Sequence, residues 1–303
     1  MIFGVLITGL ALAGAAVSAA ERQVEVIIVR GADGTETYGG KFDAQVKEWQ
    51  EACMKGEVKS SVITSLEALQ STLLAQQTQT EGALWLVWIG HGTFDGREAK
   101  FNLAGPDVSV AQVAEWVKPL QREVVVVNTA SASGAFVQPL AGPRRVVISS
   151  TKSAGEVFYP RFGEFMAKAI NGLPDADLDQ DQQVSLLEGF LYASKQAAQF
   201  YETEGRIATE HSVLEDNGDG VGSRAEDFEG VRAKDAKADG ARALQLALVL
   251  NAEEMKLPDA VRTKRDALEA KVRELASKKS EMKAEDYYRD MEQLFLEIAK
   301  LQP

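Results

Sequence analysis

Cysteine and positive charge are scarce in this sequence, and each shortage closes off a class of function. Cys53 is the single cysteine among 303 residues, so no intramolecular disulfide can form and no CxxC pair exists for structural zinc or thiol exchange. Lysine and arginine number 33 against 45 aspartates and glutamates, a formal net charge of -12. Affinity for nucleic acid comes largely from basic side chains displacing counterions, and an acidic chain with no basic block is excluded from that class. His211 has no HExxH or other metal-binding spacing around it, which makes it a surface histidine by default. Gly218 to Gly222 do not follow an apolar strand, so they do not form a phosphate-cradling loop. With 45% hydrophobic residues the chain still has material for one large core or two ordinary ones.

The one long uncharged run is residues 1–20, ending in small residues before Glu21 and Arg22. It reads as a secretory signal peptide cleaved after Ala19 or Ala20, although the usual basic residue before the run is missing. The rival is an uncleaved anchor, since a membrane span needs roughly 20 apolar residues. Cleavage leaves an exported protein, periplasmic or extracellular, with no membrane attachment. Such a chain, with one cysteine in an oxidising compartment, must be held by core burial.

Beyond residue 22 short apolar runs alternate with helical patterns. Gln23 to Val29, Ala83 to Ile89, Glu123 to Val127 and Arg145 to Ser149 are β-branched or fully apolar and too short for helices. Gly31 to Gly40 reads as a glycine-punctuated loop, and Phe42, Val46, Trp49 and Cys53 share one helical face. Cys53 on that stripe is a small core residue. Helices are also expected at Ser65 to Gln76, Ser109 to Leu120 and Phe162 to Ile170. Apolar strands separated by helices imply an α/β domain over residues 21–172, with a mostly parallel sheet and helices on both faces. Ligands of such sheets lie beyond the carboxyl ends of strands.

Two sets of chemistry-bearing residues stand out. Gly90-His91-Gly92 ends one buried strand, and Asn128 to Gly134, with Ser131 and Ser133, follows the next. A histidine beside a small nucleophile, with the Gly92 N–H free to face an oxyanion, is the minimal layout for acyl transfer. Ordinary turn chemistry also accounts for Ser131 and Ser133. The second set is acidic. Fourteen acids between Asp175 and Glu229 face only Lys195, Arg206 and Arg224, so a net of -11 sits in that stretch, which is the heart of an acidic segment over residues 173–235. Such local concentration points to cation binding rather than to solubility.

Asp177, Asp179, Asp181 and Glu188 occupy positions 1, 3, 5 and 12 of an EF-hand-like loop, with Gln183 at the carbonyl-donating position 7. Gln182 stands at position 6, where glycine is usual. Ser185 and Glu188 also spell a helix capping box, which requires none of the three aspartates. A looser second loop has Glu215, Asn217, Asp219 and Glu226 at the same positions, with Gly220 at position 6. Calcium is the cofactor these spacings call for, and paired loops could form one module. A glycine-rich surface turn explains the second loop about as well.

Within the C-terminal region, residues 236–303, the composition turns from Ala241 onward to alanine, leucine, lysine, glutamate and arginine. Val261, Leu268, Leu275 and Met282 recur every seven residues, and Tyr287, Met291, Leu294, Ile298 and Leu301 follow spacings of four and three. Two helices joined near Lys279 to Glu285 should form an antiparallel hairpin packed on its own protein or serving as a partner-binding arm.

On the strands, the HG pair at His91 and the Ser133-Gly134 pair, residues 23–171 resemble the legumain-like branch of the caspase-fold cysteine peptidases. More narrowly, the chain is similar to bacterial exported proteins of that group that combine a caspase-like domain, EF-hand-like loops and a C-terminal helical region. The resemblance implies that His91 is the catalytic histidine position and Ser131 the nucleophile position, where the family carries cysteine. A thiol with a pKa of about 8.5 is readily ionised by histidine, whereas a serine hydroxyl needs its proton taken in concert with attack. Nothing in the sequence identifies an acidic group behind His91, and ASASG is not the GxSxG elbow. The expectation is therefore a non-catalytic pseudopeptidase that binds peptide or protein, with calcium ordering its acidic loops. The alternatives are a hydrolase using Ser131 and His91, and a calcium-dependent structural adaptor. Nothing in the sequence sets an oligomeric state.

Overall fold

The computed structural model describes residues 22–235 and 237–301, so the stretch read as a signal peptide lies outside the described residues. In chain order the elements are β1 (Val24–Arg30), α1 (Glu36–Lys55), β2 (Lys59–Ile63), α2 (Leu66–Gln76), β3 (Ala83–Ile89), β4 (Gly92–Phe94), β5 (Ala99–Phe101), β6 (Val108–Ser109), α3 (Val110–Val117), β7 (Glu123–Asn128), α4 (Val137–Leu140), β8 (Arg145–Ser149), α5 (Phe162–Ile170), α6 (Leu186–Thr203), β9 (Val213–Glu215), β10 (Phe228–Glu229), β11 (Arg232–Ala233), α7 (Asp259–Ser277) and α8 (Ala284–Ala299). The main sheet runs β2-β1-β3-β7-β8-β9. Its first five strands are parallel and β9 returns antiparallel along β8. Both faces are covered, as the uninterrupted apolar strands require.

The pleat divides each strand between two cores. Val26 and Ile28 of β1 join Trp49, Trp85, Val125, Phe162 and Phe190 under α1, α5 and α6. Ile27 and Val29 join Leu69, Trp88, Val113, Trp116 and Leu140 under α2, α3 and α4. Full burial of each large apolar side chain contributes about 1.5–3 kcal/mol, and Trp49, Trp85 and Trp88 are all fully buried. Cys53 lies in the first core at 1% exposure. Burial pushes its thiol up to about 11, against an opposing hydrogen bond from Ser60. At neutral pH the group is therefore a thiol. A thiol-specific disulfide reagent is expected to leave the native protein unlabelled and to label one thiol per chain in denaturant, and rapid native labelling would contradict the packing.

Several elements depart from expectation. Helix α1 begins at Glu36 and takes in Gly39 and Gly40. A Cβ at Gly39 would come within 2.8 Å of the Asp33 carboxylate, so glycine there answers a close approach rather than marking a loop. Strand β2 is largely exposed at the sheet edge and lacks an apolar signature. The β4-β5-β6 sheet and β9 are made of two- and three-residue strands, too short to show a period. Strand β9 comes from the acidic segment and completes the main sheet, so that segment is built into the α/β body.

Helices α7 and α8 pack on each other as the expected hairpin. Among the described residues Leu268 and Tyr287 are its buried ones, while Tyr288, Phe295 and Leu296 face outward. The hairpin is tied to the body through Gln23, whose N–H donates to Asp259 Oδ2 at 3.4 Å, and through Gln245, which donates to Asp266 O at 2.6 Å. Among the described residues no helix is long and apolar enough to cross a membrane.

Candidate functional sites

The parallel strands deliver His91 and Ser131 to one edge of the sheet, because β3 and β7 are neighbours in register and end together. The glycines around His91 are dictated by space. A Cβ on Gly90 would meet the Phe101 ring at 2.8 Å, and one on Gly92 would meet Ser131 O at 2.1 Å. The two loops are therefore in backbone contact, and their polar groups are already spent on each other. Ser131 is buried, its hydroxyl donates to Gly92 O at 2.9 Å, and it accepts from the Gly92 N–H at 3.1 Å. The N–H expected to face an oxyanion is thus bound to the expected nucleophile.

His91 turns elsewhere. No hydrogen bond joins it to Ser131; its ring interacts with the backbone of Asp33 and stands among Tyr38, Phe42 and Tyr159 at 4.7, 5.1 and 6.1 Å between centroids. Burial among these rings lowers its pKa against the opposing Asp33 contact, so the imidazole is neutral at physiological pH. A neutral imidazole could accept a proton, but the nearest expected donor is engaged with the backbone.

The rest of the 128–134 loop is a structural knot. Ser133 Oγ lies within 2.9 to 3.1 Å of the hydroxyls of Ser149, Ser150 and Thr151. Gly134 has the Ser153 N–H so close that a Cβ would meet it at 2.2 Å. Ala132 is left-handed, with φ 56, a conformation costing roughly 1–2 kcal/mol for a residue with a Cβ. Its N–H donates to Glu156 O at 2.8 Å, which holds it there. Glu156 in turn accepts from the His211 N–H at 3.0 Å and meets His211 Nδ1 at 2.5 Å. His211 is therefore no free surface histidine: with Glu156 it braces the loop that carries Ser131. The partners are 55 residues apart, and no spacing rule could have joined them.

The first acidic loop behaves differently. Oxygens of Asp177, Asp179 and Glu188 lie within 4.8 Å of one another, a group of the size a metal ion requires. Asp177 accepts from the N–H groups of Asp181 and Gln182, at 3.1 and 2.9 Å, and Asp179 from that of Asp181 at 3.3 Å. Asp181 stays outside the group, with its carboxylate on the backbone and side-chain amides of Gln183 at 2.9 and 3.0 Å. Gln180 and Gln182 both adopt positive φ, at 63 and 70, which puts a glutamine in the conformation usually given to glycine at position 6.

Glu188 satisfies two descriptions at once. Its Oε2 accepts from the N–H and hydroxyl of Ser185, at 2.8 and 2.7 Å, while the Glu188 N–H donates to Ser185 Oγ at 3.2 Å, which completes the capping box of α6. Its Oε1 accepts from Leu178 N and Asp179 N at 2.8 and 3.1 Å, which folds the start of the loop back over its end. A capping box needs only the reciprocal exchange with Ser185 and no bond to Leu178 or Asp179. Burial raises the pKa of Asp179, and the charges of Glu188, Asp181 and Asp177 raise it further, as expected of acids gathered without a cation.

The second loop holds three of its four expected donors in place. Glu215 accepts from Gly218 N and Gly220 N at 2.6 and 3.3 Å, Asn217 from Asp219 N at 2.9 Å, and Asp219 from Val221 N at 2.7 Å. Gly218 and Gly220 take φ 88 and 78, the same positions that are left-handed in the first loop. Glu226 is the exception. Asp227, not Glu226, accepts from Arg224 N, so the chain makes a short 3-10 turn that leaves Glu226 in solvent, paired with Arg224 at 2.6 Å. The expectation that Glu226 closes this loop is corrected accordingly.

No protein-family model matches the chain, and no curated protein matches it. Among solved structures it is similar to the Drosophila initiator caspase Dronc, at 8% identity and a TM-score of 0.44, over 69% of this chain and 84% of that one. It is also similar to protein GSU0716 from Geobacter sulfurreducens, at 8% identity and a TM-score of 0.45, over 67% of this chain and 97% of that one. At these values neither likeness bears on the chemistry of the strand ends or of the acidic loops.

Proposed function

We propose that this is an exported, calcium-stabilised protein of caspase-like architecture that binds peptide or protein at its strand ends without hydrolysing it. The observation that carries the calcium reading is Glu188, which reaches from the helix start back to Leu178 and Asp179 while its carboxylate meets those of Asp177 and Asp179. An all-oxygen set of carboxylates on a loop, with the Gln183 carbonyl at position 7, suits Ca²⁺ better than the smaller, more demanding Mg²⁺. The non-hydrolytic reading rests on the closed Ser131–Gly92 pair and on the separation of His91 from it.

Support for a peptide or protein ligand comes from the segment after β8. Val157 and Phe158 are 46% and 66% exposed beside Tyr159, whose ring neighbours His91. An exposed apolar pair at the edge of an aromatic cluster is a place for an apolar side chain of a partner to settle. The test of silence is incubation of the protein with a mixed pool of internally quenched peptides in calcium. No turnover is expected, and turnover that disappears in Ser131→Ala contradicts the reading.

A further inference from the structure

Glu215, Asp216 and Asp239 are 0%, 8% and 1% exposed, and among the described residues no lysine or arginine forms an ion pair with any of them. Burying three carboxylates together without a compensating charge is costly. Asp216 has a structural use: it accepts from Gly240 N, Arg242 N and Ala243 N, at 2.9, 2.8 and 2.8 Å, and so fastens the 239–243 segment over the loop. Glu215 has none for one of its oxygens. Its Oε1 is held by Gly218 and Gly220, while Oε2 is buried with no hydrogen-bond partner. A buried carboxylate oxygen without a partner, inside a loop of oxygen donors, points to a ligand held by that loop.

The two loops of this chain share one hydrogen-bond skeleton. In the first, Glu188 receives the N–H groups of loop positions 2 and 3, Leu178 and Asp179, with one oxygen, and the N–H and hydroxyl of position 9, Ser185, with the other. In the second, Asp239 receives the N–H groups of positions 2 and 3, Asp216 and Asn217, at 2.9 and 3.1 Å with one oxygen. Its other oxygen receives the N–H and hydroxyl of position 9, Ser223, at 3.0 and 2.7 Å. Asp239 therefore occupies the place of the position-12 glutamate. It reaches that place from 16 residues beyond Ser223, where Glu188 lies three beyond Ser185.

We infer that Glu215, Asn217, Asp219 and Asp239 hold a second calcium ion, closed by Asp239 from a separate segment instead of by Glu226. The carbonyl of Val221, at position 7, completes the donor set. Asn217 in place of an acid leaves three carboxylates for a divalent ion, and a four-residue donor set of oxygens with glycine at position 6 favours Ca²⁺ over transition metals. Because Asp239 belongs to the segment that leads to the C-terminal hairpin, the ion would fasten that segment to β9.

The template comes from the first loop, so the inference rests in part on the calcium reading given above, and counting ions separates the two. Calorimetric titration of the purified protein with CaCl₂ is expected to show two ions per chain. Asp239→Asn is expected to bind one, Glu226→Gln two, and Glu188→Gln one. Asp219 is exposed and its Asn variant keeps the acceptor for Val221, so Asp219→Asn tests the site without disturbing the buried acids and is also expected to bind one ion. A single ion in the wild type that Glu188→Gln abolishes leaves the first site standing and overturns the second. Two ions retained in both Asp239→Asn and Asp219→Asn, or one lost in Glu226→Gln, also overturns it.

Discussion

Removing calcium with a chelator at pH 7 is expected to lower the melting temperature by about 10 °C. An ion present at a hundred times its dissociation constant adds about 2.7 kcal/mol to the folded state, and in a chain of this size each kcal/mol moves the midpoint by about 2 °C. Two loops then account for the shift, and Glu188→Gln is expected to remove about half of it. The effect has a definite pH dependence. Burial is the largest cause raising the pKa values of Asp179, Glu215 and Asp239 in the folded state. Without calcium, groups raised in this way favour the fold while protonated, and that contribution is lost as pH climbs through their folded pKa values, above the ordinary carboxylate range of about 3.9–4.3. Calcium competes with those protons, so the gap between melting temperatures with and without the ion is expected to widen as pH rises out of the carboxylate range. A melting temperature that ignores calcium at pH 7 contradicts both sites.

Substitution at Ser131 is expected to change stability and leave activity where it was, at none. In Ser131→Ala the buried N–H and carbonyl of Gly92 lose a shared partner, which costs about 1–3 kcal/mol. Denaturant unfolding measures this directly. Wild type, Ser131→Ala and Ser131→Cys are all expected to leave a quenched peptide pool intact. Restoring sulfur supplies an ionisable nucleophile, yet His91 faces Asp33 and its aromatic neighbours, so the base remains out of contact. Turnover by wild type that is lost in Ser131→Ala would establish a serine hydrolase. Turnover by Ser131→Cys alone would show that the missing thiol, rather than the placement of His91, is what silences the site.

Much of the fold could be read before the structure because its strands are buried on both faces. ALWLVWI and the VVVV of Val124 to Val127 are apolar without interruption, and such strands alternating with helical stretches call for a parallel sheet covered by helices. The elements missed are those whose residues carry no such signal: β2 is exposed, β4 to β6 and β9 are very short, and the glycines in α1 are explained only by the Asp33 carboxylate beside them. The sites divide in the same way. Asp177, Asp179 and Glu188 follow local spacing, because the loop folds on itself within twelve residues. Asp239 could not be found that way, since its contact with Ser223 depends on Asp216 clamping a distant segment. Likewise the pairing of Ser131 with Gly92 is a property of two loops meeting at neighbouring strand ends. The sequence pattern placed those residues at one edge, but only side-chain geometry shows the hydroxyl facing backbone instead of imidazole.

Hydrogen–deuterium exchange of the purified protein with and without Ca²⁺ tests the central claim most directly. The account predicts that calcium slows exchange of peptides spanning Asp177 to Glu188, whose N–H groups at Leu178, Asp179, Asp181 and Gln182 are held by the gathered carboxylates. Peptides from α2 and α3, on the opposite face of the sheet, are expected to stay unchanged. Equal exchange of the 177–188 loop in both conditions, at millimolar calcium, would contradict it.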